Sequence, residues 1–167
     1  SWQRITLPKA PASRLRAAMH APEMRQALLS ETPDPGHPLV QLGRSWAWMF
    51  PLDNPPDYAP PLEKSFAAQA AARGISPEEF AYDFFLTSNG EGLFLAALGN
   101  YEYGKLDSAH EMLSHPYCVP GLGDGGAHYG AICDASYSTY LLTRFVRQGG
   151  DLNFSVAQAA LMLGAKS

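Results

Sequence analysis

The chain has 167 residues, 46% of them hydrophobic, and a formal net charge of -4. A chain of this length and composition can bury a sizeable core, so we expect one folded domain and no extensive disorder. The mild acidity is spread along the sequence and there is no Lys/Arg block, which argues against a nucleic-acid or anionic-membrane partner. No apolar stretch approaches the roughly 20 residues of a membrane helix. Cys118 and Cys133 have no metal-finger spacing and suggest no disulfide framework, which favours a cytoplasmic location.

The first half of the chain begins with two predicted short helices over residues 12–30, where apolar residues recur at helical spacing and Pro22 interrupts them. Residues 31–61 differ in character, because they contain eight prolines and several turn-forming residues. This composition predicts a long ordered excursion without regular secondary structure. Within it, the run Trp46-Ala47-Trp48-Met49-Phe50 is expected to fill a gap in the core and to pack the excursion against the predicted strands.

Two helices are predicted after this excursion. An alanine-rich helix follows Pro61 and ends at Gly74, since glycine commonly closes a helix. The second begins at Ser76-Pro77-Glu78-Glu79, which combines an N-cap serine, a proline at the first helical position and a capping-box glutamate. Phe80, Phe84 and Phe85 are expected on its buried side.

Residues 93–122 are predicted to form a strand, a loop, a helix and a second strand. The apolar runs at 93–98 and 118–122 are typical of strands buried on both faces. Ser108 and Glu111 predict a capping box for the helix between them, which should end before His115. Because the connection is long and helical, the sequence predicts a right-handed crossover that joins two parallel strands.

The rest of the chain is predicted to be helical. One amphipathic helix is expected from Tyr137 to Val146, a break at Gly149-Gly150, and a last helix capped by Asn153.

Asp124 lies two residues beyond the second predicted strand, within a glycine-rich loop that also carries His128. In parallel α/β proteins the loops at the carboxyl ends of strands hold the reactive groups, and a carboxylate there can bind a metal or accept a proton. An aspartate among glycines is more often a turn former, so the residues alone leave both interpretations open. The loop is not interpreted as a phosphate loop, because it contains no GK[ST].

Three segments resemble the C-terminal part of the amidohydrolase superfamily, and more narrowly the branch of N-acyl-D-amino-acid deacylases, or D-aminoacylases. They are PLEKSFAAQAAARGISPEEFAYDFFL, LGNYEYGKLDSAHEMLSHP and GLGDGGAHYGAICDASYSTYLLTRFVR. The resemblance implies a (β/α)8 barrel with a metal centre, usually zinc, at its C-terminal rim. Residues 93–147 would form its last two strand-helix units.

The resemblance also implies roles for individual residues. Asp124 matches the aspartate that follows the eighth strand, binds the metal and shuttles the proton. His128 and Asn100 are expected to contact the substrate or to hydrogen-bond to groups that do. His110 and His115 are predicted to be surface or capping residues.

The family's His-x-His pair is absent from these 167 residues. The resemblance therefore implies a helix-rich partial α/β domain over 1–167, inactive by itself, with zinc in the full-length parent and none in the isolated chain. The expected reaction is hydrolysis of an amide or cyclic amide, with N-acyl-D-amino acids as one substrate class. Another substrate stays open, because no Lys or Arg lies between Gly125 and Tyr140 to bind a substrate carboxylate.

An alternative function is non-catalytic: an α-rich domain that acts by association. A partial barrel leaves strand edges and apolar helix faces exposed, and such surfaces favour a partner. The partner would be the N-terminal part of the barrel or a second copy of the chain.

Overall fold

The computed structural model describes residues 12–34, 36, 40, 43–88, 92–97, 99–115, 117–118 and 137–147. These residues form a helix-rich mixed α/β structure with one small antiparallel sheet. Backbone contacts divide the chain into two compact units, Ser1–Lys105 and Leu106–Ser167, and each unit has an apolar core of its own. Within the described part of the chain, every helix is too short or too polar to cross a membrane.

The first unit begins with a pair of helices on either side of a break before Pro22, as the sequence predicts. Helix α1 spans Ala12–Met19 and helix α2 spans Pro22–Leu29. Residues 12–30 are called the 12–30 hairpin below. No residue of α2 is buried.

The two helices predicted around Gly74 are also confirmed. Helix α3 spans Phe66–Arg73 and ends at Gly74, whose φ of 67° is the left-handed conformation that glycine adopts without strain. Helix α4 spans Pro77–Thr87 and has a complete capping box. The Glu79 N–H donates to Ser76 Oγ at 3.1 Å, and the Ser76 N–H donates to Glu79 Oε2 at 3.0 Å.

The sheet contradicts the predicted parallel pair. Strand β1, Met49–Pro51, pairs antiparallel with strand β2, Phe94–Ala96, with Phe50 opposite Leu95. Thus β1 comes from inside the predicted irregular excursion. Its proline is tolerated because each strand of a two-stranded sheet is an edge strand.

The second predicted strand, 118–122, does not pair with β2 in the part of the chain that the structure describes. Cys118 lies in no strand, and residues 119–122 lie outside the described residues. The expected burial of β2 on both faces is also wrong, since the Phe94 side chain is 41% exposed and Leu93, just before the strand, is 66% exposed.

The core of the first unit is built around Phe66, which is fully buried at the start of α3. Its ring stacks on Trp46 with the ring centroids 6.3 Å apart and packs against Phe80 at 5.1 Å and Phe84 at 5.3 Å. Met49 of β1 belongs to the same cluster. Trp46 and the buried Phe50 therefore pack in the core, as their run predicts.

The second unit contains helix α5, Asp107–Ser114, and helix α6, Tyr137–Tyr140, which continues as a π-helical segment over Leu141–Arg147. Leu141 and Phe145 are buried against Leu106 and Leu113. The helix predicted from Tyr137 is thus present, with a wider π-helical second part. The predicted break at Gly149-Gly150 and the helix capped by Asn153 lie outside the described residues.

The capping box predicted for α5 is wrong. Leu106 occupies the N-cap position, and the helix has no side-chain cap. Leu106 packs against the second core, so this apolar contact determines where the helix begins, and Ser108 lies within its first turn. The predicted end before His115 is confirmed.

We expect Ser76→Ala to lower the free energy of unfolding by about 1 kcal/mol, because it removes the N-cap acceptor of α4. The matched control is Ser108→Ala, which should leave stability unchanged or slightly raised because Ser108 caps nothing. Urea unfolding followed by circular dichroism measures both. Equal destabilisation by the two substitutions would contradict the observed caps.

Candidate active site

Asp124 and His128, the two residues that the glycine-rich motif singles out, lie outside the described residues. Their predicted roles therefore stay predictions. Asn100, the third candidate, is described and belongs to the first unit. The geometry described below is therefore that of the loop that carries Asn100.

Residues 99–105 form the loop that follows β2. Asn100 is exposed, and its φ of 57° lies in the left-handed region. Asparagine enters this region more readily than most residues, because its short side chain can hydrogen-bond to the local backbone. The structure thus places Asn100 on the surface, beyond the carboxyl end of a strand, as the sequence predicts.

A buried tyrosine anchors this loop to the core. Tyr101 is only 5% exposed, and its hydroxyl donates a hydrogen bond to the carbonyl oxygen of Pro60. Its ring meets that of Phe50 edge-on, with the centroids 6.0 Å apart and the planes at 84°. The residue next to Asn100 is therefore fixed by both a polar and an aromatic contact.

The second half of the loop turns sharply. Tyr103 and Gly104 have φ values of 57° and 71°. A side chain at Gly104 would be strained by this φ, and its Cβ would come within 2.7 Å of Leu62 Cγ. Because the backbone is held on both sides of it, the Tyr103 side chain projects outward and is 83% exposed.

Tyr103 is a candidate contact residue that the sequence does not reveal. A non-glycine residue at positive φ carries backbone strain, and such residues are common at functional sites. The only sequence signal near Tyr103 is Gly104. A glycine there indicates a turn, but it does not indicate that the Tyr103 ring is exposed.

One of the described histidines, His115, takes part in a local hydrogen bond. His115 follows the last residue of α5, and its Nδ1 accepts a hydrogen bond from the Tyr117 N–H at 3.3 Å. His110 lies within α5 and is half-buried. His115 is exposed and occupies the C-cap position of α5, so the prediction of a surface or capping residue is confirmed for it. Among the residues that the structure describes, no three His, Cys, Asp or Glu side chains come together as metal ligands could.

One ion pair lies on the segment that supports this loop. Lys64 ends the turn that begins at Leu62, and its Nζ is 3.0 Å from Asp53 Oδ2. The hydrogen bond to Asp53, reinforced by the charge of that carboxylate, raises the pKa of Lys64. Lys64 is therefore a fixed cation whose charge is matched by an exposed aspartate.

Comparisons of the chain with protein families, with curated proteins and with solved structures find no match.

We expect Tyr101→Phe to lower the free energy of unfolding by about 1–3 kcal/mol, because the Pro60 carbonyl loses its partner in a buried setting. Tyr103→Phe removes the same hydroxyl from an exposed ring two residues away, so its effect should be close to zero. Thermal unfolding of the two variants makes the comparison. An equal loss in both variants would refute the anchoring role of the Tyr101 hydroxyl.

Proposed function

We propose that this chain is part of a metal-dependent amidohydrolase of the D-aminoacylase-like branch, which hydrolyses an amide or cyclic amide bond. The observation that carries the proposal is the segment Gly121-Leu122-Gly123-Asp124-Gly125-Gly126-Ala127-His128, followed by Ile132-Cys133-Asp134-Ala135-Ser136. This segment resembles the family's rim loop after the eighth strand, where the family's catalytic aspartate lies.

The order of elements in the chain supports the proposal. β2 is followed by the exposed Asn100 loop and then by α5, which is the strand, loop and helix order of a barrel unit. The helical stretch from Tyr137 to Arg147 follows the Asp124 segment, as the next unit requires.

The antiparallel pairing of β2 with β1 requires a specific explanation within the proposal. A strand of a closed (β/α)8 barrel has parallel neighbours on both edges, whereas β2 has the antiparallel strand β1 on one edge. An unpaired strand edge readily takes up another strand, because its N–H and C=O groups need partners. We therefore propose that β1 occupies a position that a barrel strand takes in the complete enzyme.

The chemistry assigned to the site follows from its residue types. Asp124 accepts a proton from the attacking water and delivers it to the leaving amine, as a general base and then a general acid. Zinc, when bound, activates the water and polarises the carbonyl group. The resemblance assigns Asn100 and His128 to the substrate or to hydrogen bonds with groups that contact it, and Tyr103 is exposed on the same loop as Asn100.

The test is the substitution Asp124→Asn in a protein that joins these 167 residues to the barrel strands and histidines that the proposal requires. We expect kcat to fall by at least about 100-fold, because the amide cannot carry the proton. Release of free amine from N-acyl-D-amino acids, their L-isomers and cyclic amides measures the activity and identifies the substrate class.

The matched control is Asp107→Asn, which changes the same functional group at an exposed position in the first turn of α5. This variant should retain its activity. Near-normal hydrolysis by Asp124→Asn would refute the assignment of Asp124, and absence of hydrolysis on every amide of the panel would refute the reaction class.

A second candidate function, association, is favoured by one observation. Leu93 and Phe94, at the start of β2, expose large apolar side chains together. Such a surface favours a partner, which can be the rest of the barrel or a second copy of the chain. The two functions are compatible, because a barrel strand would bury these side chains against the complete enzyme.

A further inference from the structure

Polar contacts from Arg25 and Tyr82 join the 12–30 hairpin to α4. Every residue of α2 is at least partly exposed, and the described residues of α1 are exposed or half-buried. The aromatic cluster around Phe66 lies in the other part of the unit and draws none of its members from the hairpin. The attachment therefore differs in kind from the packing that holds α3, α4 and the sheet together.

Arg25 is the centre of this attachment. Its guanidinium lies 3.5 Å from Glu79 Oε1 and 3.5 Å from Asp83 Oδ1, which are one helical turn apart on α4. The same group lies over the Tyr82 ring, 5.7 Å from the centroid. One side chain of the hairpin thus contacts three residues of α4.

Tyr82 provides the other contact. Its hydroxyl donates a hydrogen bond of 2.5 Å to the carbonyl oxygen of Met19, at the end of α1. Burial raises the pKa of Tyr82 above its ordinary value. Tyr82 is 7% exposed although it lies on the side of α4 that faces the hairpin, so the hairpin covers it.

The neighbouring carboxylates of α4 have further partners. Glu78 pairs with Arg44 at 3.1 Å and accepts a hydrogen bond from Trp46 Nε1 at 3.3 Å. The hydrogen bonds from Ser76, with a smaller contribution from Arg25, lower the pKa of Glu79. The capping box of α4 therefore prepares the carboxylate that Arg25 binds.

We propose that the 12–30 hairpin is an ionically held flap, which opens from α4 as one unit and uncovers Tyr82 while the Phe66 cluster remains closed. Exposed ion pairs are weak and are screened by salt, whereas the aromatic core is neither exposed nor ionic. Regions with few buried apolar contacts open at a much lower free energy than the whole fold. Ionic strength is thus the condition that controls the flap.

Hydrogen exchange of the full 167-residue chain at neutral pH tests this proposal. Raising sodium chloride from about 0.1 M to about 1 M shortens the screening length from ~10 Å to ~3 Å, so amides of the hairpin should exchange roughly 2- to 10-fold faster. Amides of α3 and α4 should keep their rates. Arg25→Gln should reproduce the salt effect at low salt and make the hairpin insensitive to further salt.

Arg14→Gln is the matched control, because it removes the same charge from an exposed position on α1. It should leave the exchange rates unchanged. Tyr82→Phe keeps the ring and the ion pairs but loses the bond to Met19, so it should speed exchange of the hairpin and preserve its salt dependence.

Two results would overturn the proposal. One is that hairpin amides exchange at equal rates in Arg25→Gln and Arg14→Gln, and that salt does not change their exchange rate in the unsubstituted chain. The other is an equal rise in exchange of α3 and α4 together with the hairpin, which would mean that the hairpin and the core open as a single unit.

Discussion

The burial of the Phe66 ring is the constraint on which the first unit depends. Phe66 is the first residue of α3, and its ring contacts aromatic side chains from the segment before β1 and from α4 and β2, namely Trp46, Phe80, Phe84 and Phe94. Rings at these separations and angles attract each other beyond the effect of area alone. Because one side chain contacts all these elements, it determines which segment pairs with β2. It also orients α4, whose opposite side carries the hairpin.

Much of the helical structure could be predicted from the sequence because its signals act within a single turn. Gly74, Pro77 and the Ser76/Glu79 pair each determine a local hydrogen bond or dihedral angle, and the structure agrees with all of them. Pairing of strands depends on contacts between residues about 45 positions apart. Nothing in the local pattern indicated that Met49 and Phe50 would form a strand in a proline-rich segment. The predicted start of α5 at Ser108 is wrong for the same reason. The N-cap residue Leu106 packs against Leu141 and Phe145, which are distant in the sequence.

The candidate site also has one part that the sequence predicts and one part that depends on tertiary contacts. Asp124 and His128 are identified by a motif whose chemistry is independent of any contact in the first unit. The shape of the Asn100 loop depends on the Tyr101 hydroxyl and on the fit of Gly104 over Leu62, neither of which has a sequence pattern. The exposure of Tyr103 follows from that shape. Residue type therefore indicates which side chain is the candidate reactive group, whereas tertiary contacts determine the shape of the Asn100 loop.

The zinc content of the 167-residue chain tests the proposal that its metal centre needs ligands from outside these residues. Zinc sites in proteins use about three or four protein ligands, and the chain has five histidines with no His-x-His pair. After thorough dialysis, we expect elemental analysis to find far less than one zinc per chain. A stoichiometry of about one tightly held zinc would contradict the proposed division of the site, because a complete ligand set would then have to converge within the chain.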